Sequence, residues 1–417
     1  MNRTHLRRRH WSRLAFAALV AFGPITTPSG AQCRYDVTSI ESAAQADSTV
    51  NLTPYAMNDH GWVVGTWTKP GLWERAFLWT PDAGFEFLPM PEGTFISFAV
   101  DINNANVIIG YYGVDGDDLG YFGFLIDGDE FTSVYPPIEG DSIRFQGINE
   151  NNEVAGYWAN SFDVPPLACR WFDGVLTDLD FPDDASSQRA YDINDSSKIV
   201  GDLTLDTPDW DTRAFLWDDG ETTELGLLPD AYDSYATAVN NHAEVVGRCR
   251  LPGSDPIDRA FLWRDGVMLD LGTVLGYEES KATDINDRGQ VLVDCWDPGP
   301  IHTLALWQQN ELIAINELHV LGSDLDAFSG KAMNNAGQIA GRGSVPGDSS
   351  SVAFVLTPID VPEGDVDLDC RVGVPDLLYL LEHWGQAGSF ADFDGDGLVG
   401  VVDLLILLEH WTETDSR

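Results

Sequence analysis

The sequence predicts an all-β protein, a seven-bladed β-propeller with four-stranded blades, followed by a small C-terminal calcium loop–helix pair. Three observations support this prediction. A segment with a central asparagine recurs seven times, a segment rich in Phe and Trp follows each copy, and an acidic twelve-residue loop occurs twice near the C-terminus. Four-stranded units of about 40 to 50 residues that repeat in this way are typical of propeller blades.

The first recurring segment reads Asp-Ile-Asn-Asp-Ser-Ser-Lys-Ile-Val-Gly in its copy at residues 192–201. The repeated asparagines are Asn58, Asn103, Asn149, Asn194, Asn240, Asn286 and Asn334, and they are separated by 45, 46, 45, 46, 46 and 48 residues. Asparagine side chains bond to nearby backbone and tolerate left-handed conformations, so the position predicts a tight turn between strands. A ring of seven amides that binds polar ligands around the channel is the alternative interpretation.

The second segment lies about 20 residues after each asparagine, as in Ala-Phe-Leu-Trp at residues 76–79 and 214–217. A short turn such as Asp-Gly follows, and then another extended run. Each repeat therefore predicts four short strands and contains no helical pattern. The large aromatic side chains are expected to fill the core between blades.

The ends of the repeat array predict how the ring closes. The seventh repeat reaches Pro358 without its last strand, whereas residues 35–40 precede the first repeat and resemble the missing strand. An N-terminal strand that completes the last blade would leave no open sheet edge. A linear β-solenoid would explain the period but not this spare strand. The propeller is therefore expected at residues 32–360, and a separate C-terminal calcium-binding module at 361–417.

The two acidic loops, residues 365–376 and 392–403, carry carboxylates at positions 1, 3, 5 and 12, which match the oxygen ligands that calcium prefers. The main-chain carbonyl at position 7 would add a further ligand. The predicted ligands are Asp365, Asp367, Asp369, Arg371 and Asp376 in the first loop, and Asp392, Asp394, Asp396, Leu398 and Asp403 in the second. Position 6 requires a positive φ, which Gly397 adopts freely and Cys370 does not, so the second site is predicted to be tighter.

Each loop is followed by nearly the same helical sequence, Leu-Leu-x-Leu-Leu-Glu-His-Trp, and preceded by helix breakers. The apolar residues at helical spacing predict a small core shared by the two helices. These residues are Leu377, Leu380, Leu381 and Trp384 in the first copy, and Leu404, Leu407, Leu408 and Trp411 in the second. Leu378 and Leu405 extend the apolar surface, which leaves open a contact with a partner or with the neighbouring domain.

The duplicated loop and exit helix resemble the type I dockerin module over about residues 364–411. The resemblance implies calcium binding and a protein partner. In that family a polar pair at loop positions 10 and 11 helps to recognise a cohesin, whereas this chain has Val-Pro at 374–375 and Val-Val at 401–402. The departure leaves calcium binding intact and makes cohesin recognition doubtful.

The two recurring segments resemble the HAF family of extracellular repeats over nearly all of residues 55–356. The His-Ala-Phe triplet of that family reads Arg-Ala-Phe here, beginning at Arg75, Arg213 and Arg259. The resemblance implies the fold and secretion. It implies no activity.

Residues 1–31 predict a secretory signal peptide, since several arginines precede an apolar run at residues 14–22 and a small-x-small motif ends at Ala31. The protein is therefore expected to be secreted or on the cell surface, and no other stretch is apolar enough to span a membrane. The formal net charge is −44, or −49 without the five arginines of the signal. Such an acidic surface excludes nucleic-acid binding.

The five cysteines show no Cys-x-x-Cys spacing, which argues against zinc binding and thioredoxin-like chemistry. Export permits disulfides, and the odd number leaves at least one thiol free in a monomer. Cys33 could pair with Cys370 only where the chain ends meet. Unpaired, half-buried thiols are the alternative.

No catalytic motif is present, neither Gly-x-Ser-x-Gly nor His-Glu-x-x-His nor a phosphate-binding glycine loop. The leading hypothesis is a secreted, non-catalytic binding or scaffold protein for adhesion or assembly at the cell surface or matrix. The alternative is a hydrolase or lyase that processes polysaccharides with carboxylates in the propeller channel. Tryptophans outside the repeated position either pack or stack on sugar rings. They are Trp62, Trp67, Trp73, Trp158, Trp210 and Trp296.

Overall fold

The structure is a computed structural model, and it describes residues 34–40, 49–114, 120–138, 141–160, 165–182, 185–207, 210–253, 256–299, 302–318, 320–321, 325–345, 351–359 and 361–412. The predicted signal peptide, residues 1–31, lies outside the described residues. Seven β-sheets and two short α-helices occur in the described part of the chain. The predicted seven-bladed propeller is confirmed.

The first strand, β1 (Arg34–Ser39), belongs to the last blade, and the six blades that follow are each a four-stranded meander. Blade 1 contains β2 (Asn51–Met57), β3 (Val63–Thr68), β4 (Arg75–Thr80) and β5 (Gly84–Phe87). Blade 2 contains β6 (Thr94–Ile102), β7 (Ile108–Val114), β8 (Phe122–Asp127) and β9 (Glu130–Val134). Blade 3 contains β10 (Asp141–Ile148), β11 (Val154–Asn160), β12 (Leu167–Phe172) and β13 (Val175–Asp178).

The same order of strands continues through the next three blades. Blade 4 contains β14 (Ala185–Ile193), β15 (Ile199–Leu205), β16 (Thr212–Asp218) and β17 (Glu221–Glu224). Blade 5 contains β18 (Asp233–Val239), β19 (Val245–Leu251), β20 (Ile257–Arg264) and β21 (Val267–Gly272). Blade 6 contains β22 (Glu279–Ile285), β23 (Val291–Trp296), β24 (His302–Gln308) and β25 (Glu311–Ala314), followed by a 3₁₀ turn (Ile315–Glu317).

Blade 7 is closed by the N-terminal strand, as predicted. It contains β26 (Val320–Leu321), β27 (Asp326–Met333), β28 (Ile339–Ser344) and β29 (Ser351–Ile359), with β1 paired antiparallel to β29. The short strand β26 adds a fifth member to this sheet, parallel to β1, which the four-stranded repeat did not predict. Two residues carry no periodic signal from which such a strand could be recognised.

The aromatic residues of the second recurring segment form the core between the sheets, as predicted. Phe77, Phe124, Phe215, Phe261 and Phe354 are fully buried. In blade 2, Phe124 lies across the ladder from Gly110, where a Cβ atom would come within 1.9 Å of the Phe98 carbonyl oxygen and 2.6 Å of the Phe124 ring. The Gly–Phe pair recurs in most blades because neighbouring strands approach closely at this position. In blade 6 the equivalent pair is Val293 and Ala305, so the bulk lies on the other strand.

The C-terminal module contains α1 (Val374–Glu382) and α2 (Val401–Glu409), each preceded by an acidic loop. Its core is small and includes Leu380, Leu407 and the loop residues Val372 and Val399. The prediction that the apolar residues of both helices form a shared core is wrong at three positions. Leu381, Leu408 and Trp384 are 50%, 50% and 44% exposed. The valines at loop position 8 fill the space between the helices, so only one narrow side of each helix faces inward.

Candidate functional site

The first acidic loop brings three of its five predicted ligands together. Carboxylate oxygens of Asp365, Asp367 and Asp369 lie within 4.8 Å of one another. Burial, and then repulsion from Asp367 and Asp369, raise the pKa of Asp365 to about 8. Carboxylates held this close are stabilised by a cation, so the donor set fits a hard metal ion.

The second loop gathers Asp392, Asp394 and Asp403, again with carboxylate oxygens within 4.8 Å of one another. One oxygen of Asp392 accepts a 3.0 Å hydrogen bond from the Gly397 amide. Its other oxygen, Oδ1, is buried and has no hydrogen-bond partner among the described residues. A buried acceptor without a donor is costly, and a metal ion at this position would satisfy it.

The remaining predicted ligands lie in the loops but outside these clusters. Asp376 caps α1, since its two oxygens accept hydrogen bonds of 2.7 Å from the Val366 and Gly373 amides. Asp396 is exposed and accepts a 3.0 Å bond from the amide of Leu398, at position 7. In the first loop, the amide of Arg371 donates to Asp369 in the same way, at 2.8 Å. The main-chain carbonyls of Arg371 and Leu398 remain predicted ligands.

The backbone of both loops turns through the left-handed region at position 6, as predicted, with φ of 64° at Cys370 and 95° at Gly397. Position 4 is also left-handed, at Leu368 and Gly395, which sequence reasoning missed. The first loop therefore places two side-chain-bearing residues where glycine is favoured, and the second loop places none.

Cys370 is disulfide-bonded. The predicted partner, Cys33, lies outside the described residues. Cys169, Cys249 and Cys295 are free and buried, and burial raises the pKa of Cys249 and of Cys295 to about 11. These thiols are therefore not reactive nucleophiles.

The first acidic loop also lies against the propeller. Arg288, in the turn between β22 and β23, donates to the Val366 carbonyl of the loop and to the Asn335 carbonyl of blade 7. Its guanidinium stacks 4.2 Å from the centre of the Phe390 ring. Gln309 of blade 6 donates to Asp367, one of the predicted ligands. The loop that carries the first predicted calcium site thus also contacts the propeller.

The seven repeated asparagines form a closed ring. Each donates its side-chain Nδ2 to the main-chain carbonyl of the asparagine in the next blade, over 2.9 to 3.1 Å, and Asn334 donates to Asn58. Each side-chain oxygen accepts the amide four residues later. The amides are buried and bonded within the ring, so the structural interpretation is confirmed. The ring also borders a small cavity of about 180 Å³.

The turn geometry corrects one detail of the prediction. The left-handed residue is not the asparagine but the residue three positions later, as at Asn106 and Ser197 with φ of 66° and 60°. A second ring lies one residue after the asparagines, where each main-chain amide donates to the side-chain oxygen of the next blade over 2.7 to 2.9 Å. Together the two rings link every pair of neighbouring blades at this end of the channel.

The channel contains a cavity of about 610 Å³ lined mainly by the first strand of each blade. Two residues before the asparagine, blades 2, 4 and 6 carry Asp101, Asp192 and Asp284, whereas the other blades carry Ala or Gly. Each carboxylate accepts its following amide and an amide of the next blade; for Asp101 both bonds are 2.8 Å. Burial raises the pKa of Asp101 to about 6 and that of Asp284 to about 7, despite these donors.

Farther from the asparagine ring, the cavity wall carries aromatic and basic side chains. They are Tyr55, Tyr111, Tyr191, Tyr235, Arg248, Lys281 and Lys331. Sequence reasoning missed them because they differ from blade to blade and therefore do not appear in the repeat pattern. Most of them precede the repeated asparagine by three or five residues, on the first strand of their blade. This spacing could have identified them from the sequence.

A family model described as "Protein of unknown function (DUF3466)" matches residues 61–296, more than half of the chain. The chain belongs to the DUF3466 family. The DUF3466 match begins in the turn between β2 and β3 and ends with β23, so it covers most of the propeller and none of the acidic loops. No curated protein matches the chain.

Solved propellers similar to this DUF3466 chain include the following two. The β-propeller domain of the trilobed protease from Pyrococcus furiosus, described as having an open velcro topology, is 12% identical with a TM-score of 0.51 and covers 74% of this chain and 93% of its own. An oligogalacturonate lyase in complex with manganese is 14% identical with a TM-score of 0.52 and covers 79% and 98%. At this identity the likeness shows the fold alone.

The six tryptophans outside the repeated position do not lie in the described lining of the channel cavity. Trp67 and Trp158 are buried, whereas Trp73 and Trp210 are about 60% exposed. Trp73 borders a separate groove together with Phe95, against which its ring packs edge-on at 4.9 Å. In the described part of the chain, no helix is long and apolar enough to cross a membrane.

Proposed function

We propose that this protein is a secreted, non-catalytic binding and scaffold protein whose C-terminal calcium module attaches the propeller to a protein partner at the cell surface or matrix. The observation that carries the proposal is an exposed apolar stripe on each helix of the module. Val374, Leu378 and Leu381 of α1 are 46%, 61% and 50% exposed. The equivalent residues of α2 are Val401, Leu405 and Leu408, at 63%, 60% and 50%.

Both stripes follow the helical spacing i, i+4 and i+7, and they occupy the same positions in the two copies of the module. Large apolar side chains that remain exposed in a regular arrangement mark an interaction surface. Two of them, Val374 and Val401, stand at loop position 10, where the dockerin family has a polar recognition residue. The partner is therefore expected to present an apolar groove, and a polar cohesin-type surface fits less well.

Calcium is the proposed ligand of both acidic loops. The clusters offer only hard oxygen donors, which suit calcium better than the softer transition metals. When bound, the ion would neutralise the clustered carboxylates and hold each loop against its helix. The second site is proposed to be tighter, since glycines occupy both of its left-handed positions.

Export is supported by two independent features. The arginines, apolar run and small residues of segment 1–31 have the composition of a signal peptide. Cys370 is disulfide-bonded, and disulfides persist in the oxidising compartments to which such a signal leads.

The test of the attachment surface uses the double variant Leu378→Lys with Leu405→Lys. In buffer with calcium, the purified wild-type protein should bind native cell-envelope preparations, and the double variant should not. Titration calorimetry should show that the variant still binds calcium, because the ligands are unchanged. The matched control Val267→Lys alters an exposed apolar residue of β21 and should bind like wild type. Undiminished attachment of the double variant would contradict the proposal.

A second candidate function is a polysaccharide hydrolase or lyase that acts in the channel. It is favoured by the carboxyl groups of the cavity floor, since burial places the pKa of Asp284 at about 7, where a carboxyl can serve as a general acid. One similar propeller is an oligogalacturonate lyase. The test is a screen of acidic and neutral polysaccharides for cleavage products, repeated with Asp284→Asn. Turnover that the substitution abolishes would replace the non-catalytic proposal.

A further inference from the structure

We infer that the channel cavity binds an acidic saccharide, whose carboxylate or sulfate groups lie beside Arg248, Lys281 and Lys331 and whose sugar rings lie among the tyrosines. This site is in the propeller and is distinct from the attachment surface proposed for the module. Its cavity of about 610 Å³ has the size of a small-molecule site.

The cavity holds several of the few positively charged side chains of this acidic protein. The chain has 23 Lys and Arg against 67 Asp and Glu, and five of the arginines belong to the predicted signal peptide. Arg248, Lys281 and Lys331 nevertheless line one cavity. Cations that are scarce on a protein and gather in one concave site favour an anionic ligand, because the walls of a cleft focus their field.

The positive charges of the cavity are incompletely paired. Arg248 donates to Asp258 at 2.9 Å, but the side chains of Lys281 and Lys331 have neither a hydrogen bond nor an ion pair within the described ranges, and their charges interact with Asp294 only at longer range. The nearby Asp294 already accepts hydrogen bonds from the Ser329 hydroxyl at 3.0 Å and the Gly330 amide at 2.9 Å. Burial, and then the charges of Arg248 and Lys331, lower the pKa of Lys281. An anion in the cavity would give the two ammonium groups the direct contact that Asp294 does not make.

The rest of the cavity wall has the chemistry of a saccharide site. Tyr55 and Tyr191 line the cavity and provide flat apolar faces that suit sugar rings, together with hydroxyl groups that hydrogen-bond. The ring of Tyr235, also in the wall, contacts the Arg248 guanidinium at 4.9 Å and helps to hold it there. Gln146 also lines the cavity, and its amide has no hydrogen bond to any other described residue. Such a wall suits a ligand with many hydroxyl groups better than a simple inorganic anion.

The carboxylates of the floor do not oppose this assignment. Both oxygens of Asp101, Asp192 and Asp284 accept main-chain amides, so their charge is partly satisfied by the blades themselves. Burial raises the pKa of all three, which reduces their negative charge near neutral pH. A fourth carboxylate of the lining, Asp202, is paired with Arg189 at 3.5 Å, and burial raises its pKa. The cavity is therefore less repulsive to an anion than four free aspartates would make it.

The test is titration calorimetry of the full chain in calcium with three probes: trigalacturonate, a sulfated chondroitin disaccharide and neutral maltotriose. An acidic probe should bind and maltotriose should not, and the stronger of the two acidic probes identifies the anionic group. Binding should weaken as salt is added, since the contact is between charges. Failure of both acidic probes, or equal binding of maltotriose, would overturn the inference.

Two substitutions locate the site. Lys281→Gln and Lys331→Gln should each weaken binding of the acidic probe by at least about tenfold, the effect of losing one charge-assisted contact. Arg264→Gln removes an exposed cation of β20 and should leave the affinity unchanged. Thermal unfolding checks that each variant is folded, and Lys281→Arg, which keeps the charge, should retain most of the affinity. Unchanged affinity in both Gln variants would place the ligand elsewhere. The Leu378→Lys with Leu405→Lys variant should bind the probe normally, so failure of one proposal does not imply failure of the other.

Discussion

The side-chain amide of Asn334 donates a 3.0 Å hydrogen bond to the main-chain carbonyl of Asn58, which lies 276 residues earlier in the chain. This bond joins blade 7 to blade 1 and completes the ring of seven asparagines. The pairing of β1 with β29 completes the sheet of blade 7 itself. The propeller is thus closed twice, once by a strand and once by a side chain.

Replacing a ring asparagine should destabilise the whole propeller. Asn334→Ala removes the donor to Asn58 and the acceptor of the Ala336 and Gln338 amides. Leaving buried groups unpaired should lower the free energy of unfolding by about 1–3 kcal/mol. Denaturant unfolding measures the change. Asn51→Ala, at an exposed asparagine of β2 that accepts only solvent-exposed bonds from Arg342 and Ser351, is the control and should change stability less.

A methyl group added at Gly110, which lies close to Phe98 and Phe124 on the two neighbouring strands, should also destabilise the propeller. In Gly110→Ala, the added Cβ would meet the Phe98 carbonyl oxygen and the Phe124 ring at distances that no real contact allows. The strands must move apart, which should cost about 1–3 kcal/mol. Gly299→Ala, where the added carbon meets nothing within 4 Å, is the matched control. Equal thermal stability of the two variants would show that the strands around Gly110 have room for a methyl group.

The parts of the molecule that the sequence predicted are those that repeat. Asn58 and its equivalents marked the turns, and the fully buried Phe77 marked the third strand of its blade. These residues recur because equivalent positions in each blade have the same turn and the same contacts with the next blade. Lys281 and Tyr191 were not predicted, since the side chains that line the channel differ between blades. Residues from different blades come together only when the propeller closes. The error at Leu381 has another cause: when a short helix is apolar on two sides, spacing alone does not identify the buried side.

Calcium should bind at both acidic loops, with the second site tighter. Asp392→Ala should remove the tighter site, because Asp392 contributes the buried oxygen that has no donor in the described structure. Asp403→Ala should act similarly and also remove the cap of α2. Titration calorimetry should show two sites in wild type and one in each variant. Glu409→Ala, an exposed acid on the same helix, should keep both, and the absence of any binding heat in wild type would refute the metal assignment.

The module should loosen from the propeller when Arg288 is lost. Arg288→Ala removes the bonds to the Val366 and Asn335 carbonyls and the stacking on Phe390. Amide hydrogen exchange should therefore rise in residues 361–412 while the blades stay protected. The control Arg264→Ala removes an arginine whose 3.6 Å ion pair lies within the propeller. If exchange in the module is the same in both variants, Arg288 does not hold the two parts together.

The channel aspartates should make the propeller less stable as the pH rises. Burial raises the folded-state pKa of Asp101 to about 6 and of Asp284 to about 7, from about 4 in an unfolded chain. The folded protein thus binds these protons more tightly than the unfolded one, and the resulting stability is complete below about pH 4 and is lost between about pH 4 and 7. The test is denaturant unfolding of wild type and Asp284→Asn at pH 5 and pH 8 in saturating calcium. The difference in the free energy of unfolding between the two proteins isolates the contribution of Asp284, because the carboxylates of the module contribute equally to both. The substitution should cost more stability at pH 5, where the protonated Asp284 contributes most, than at pH 8. An equal cost at both values would show that Asp284 is ionised throughout.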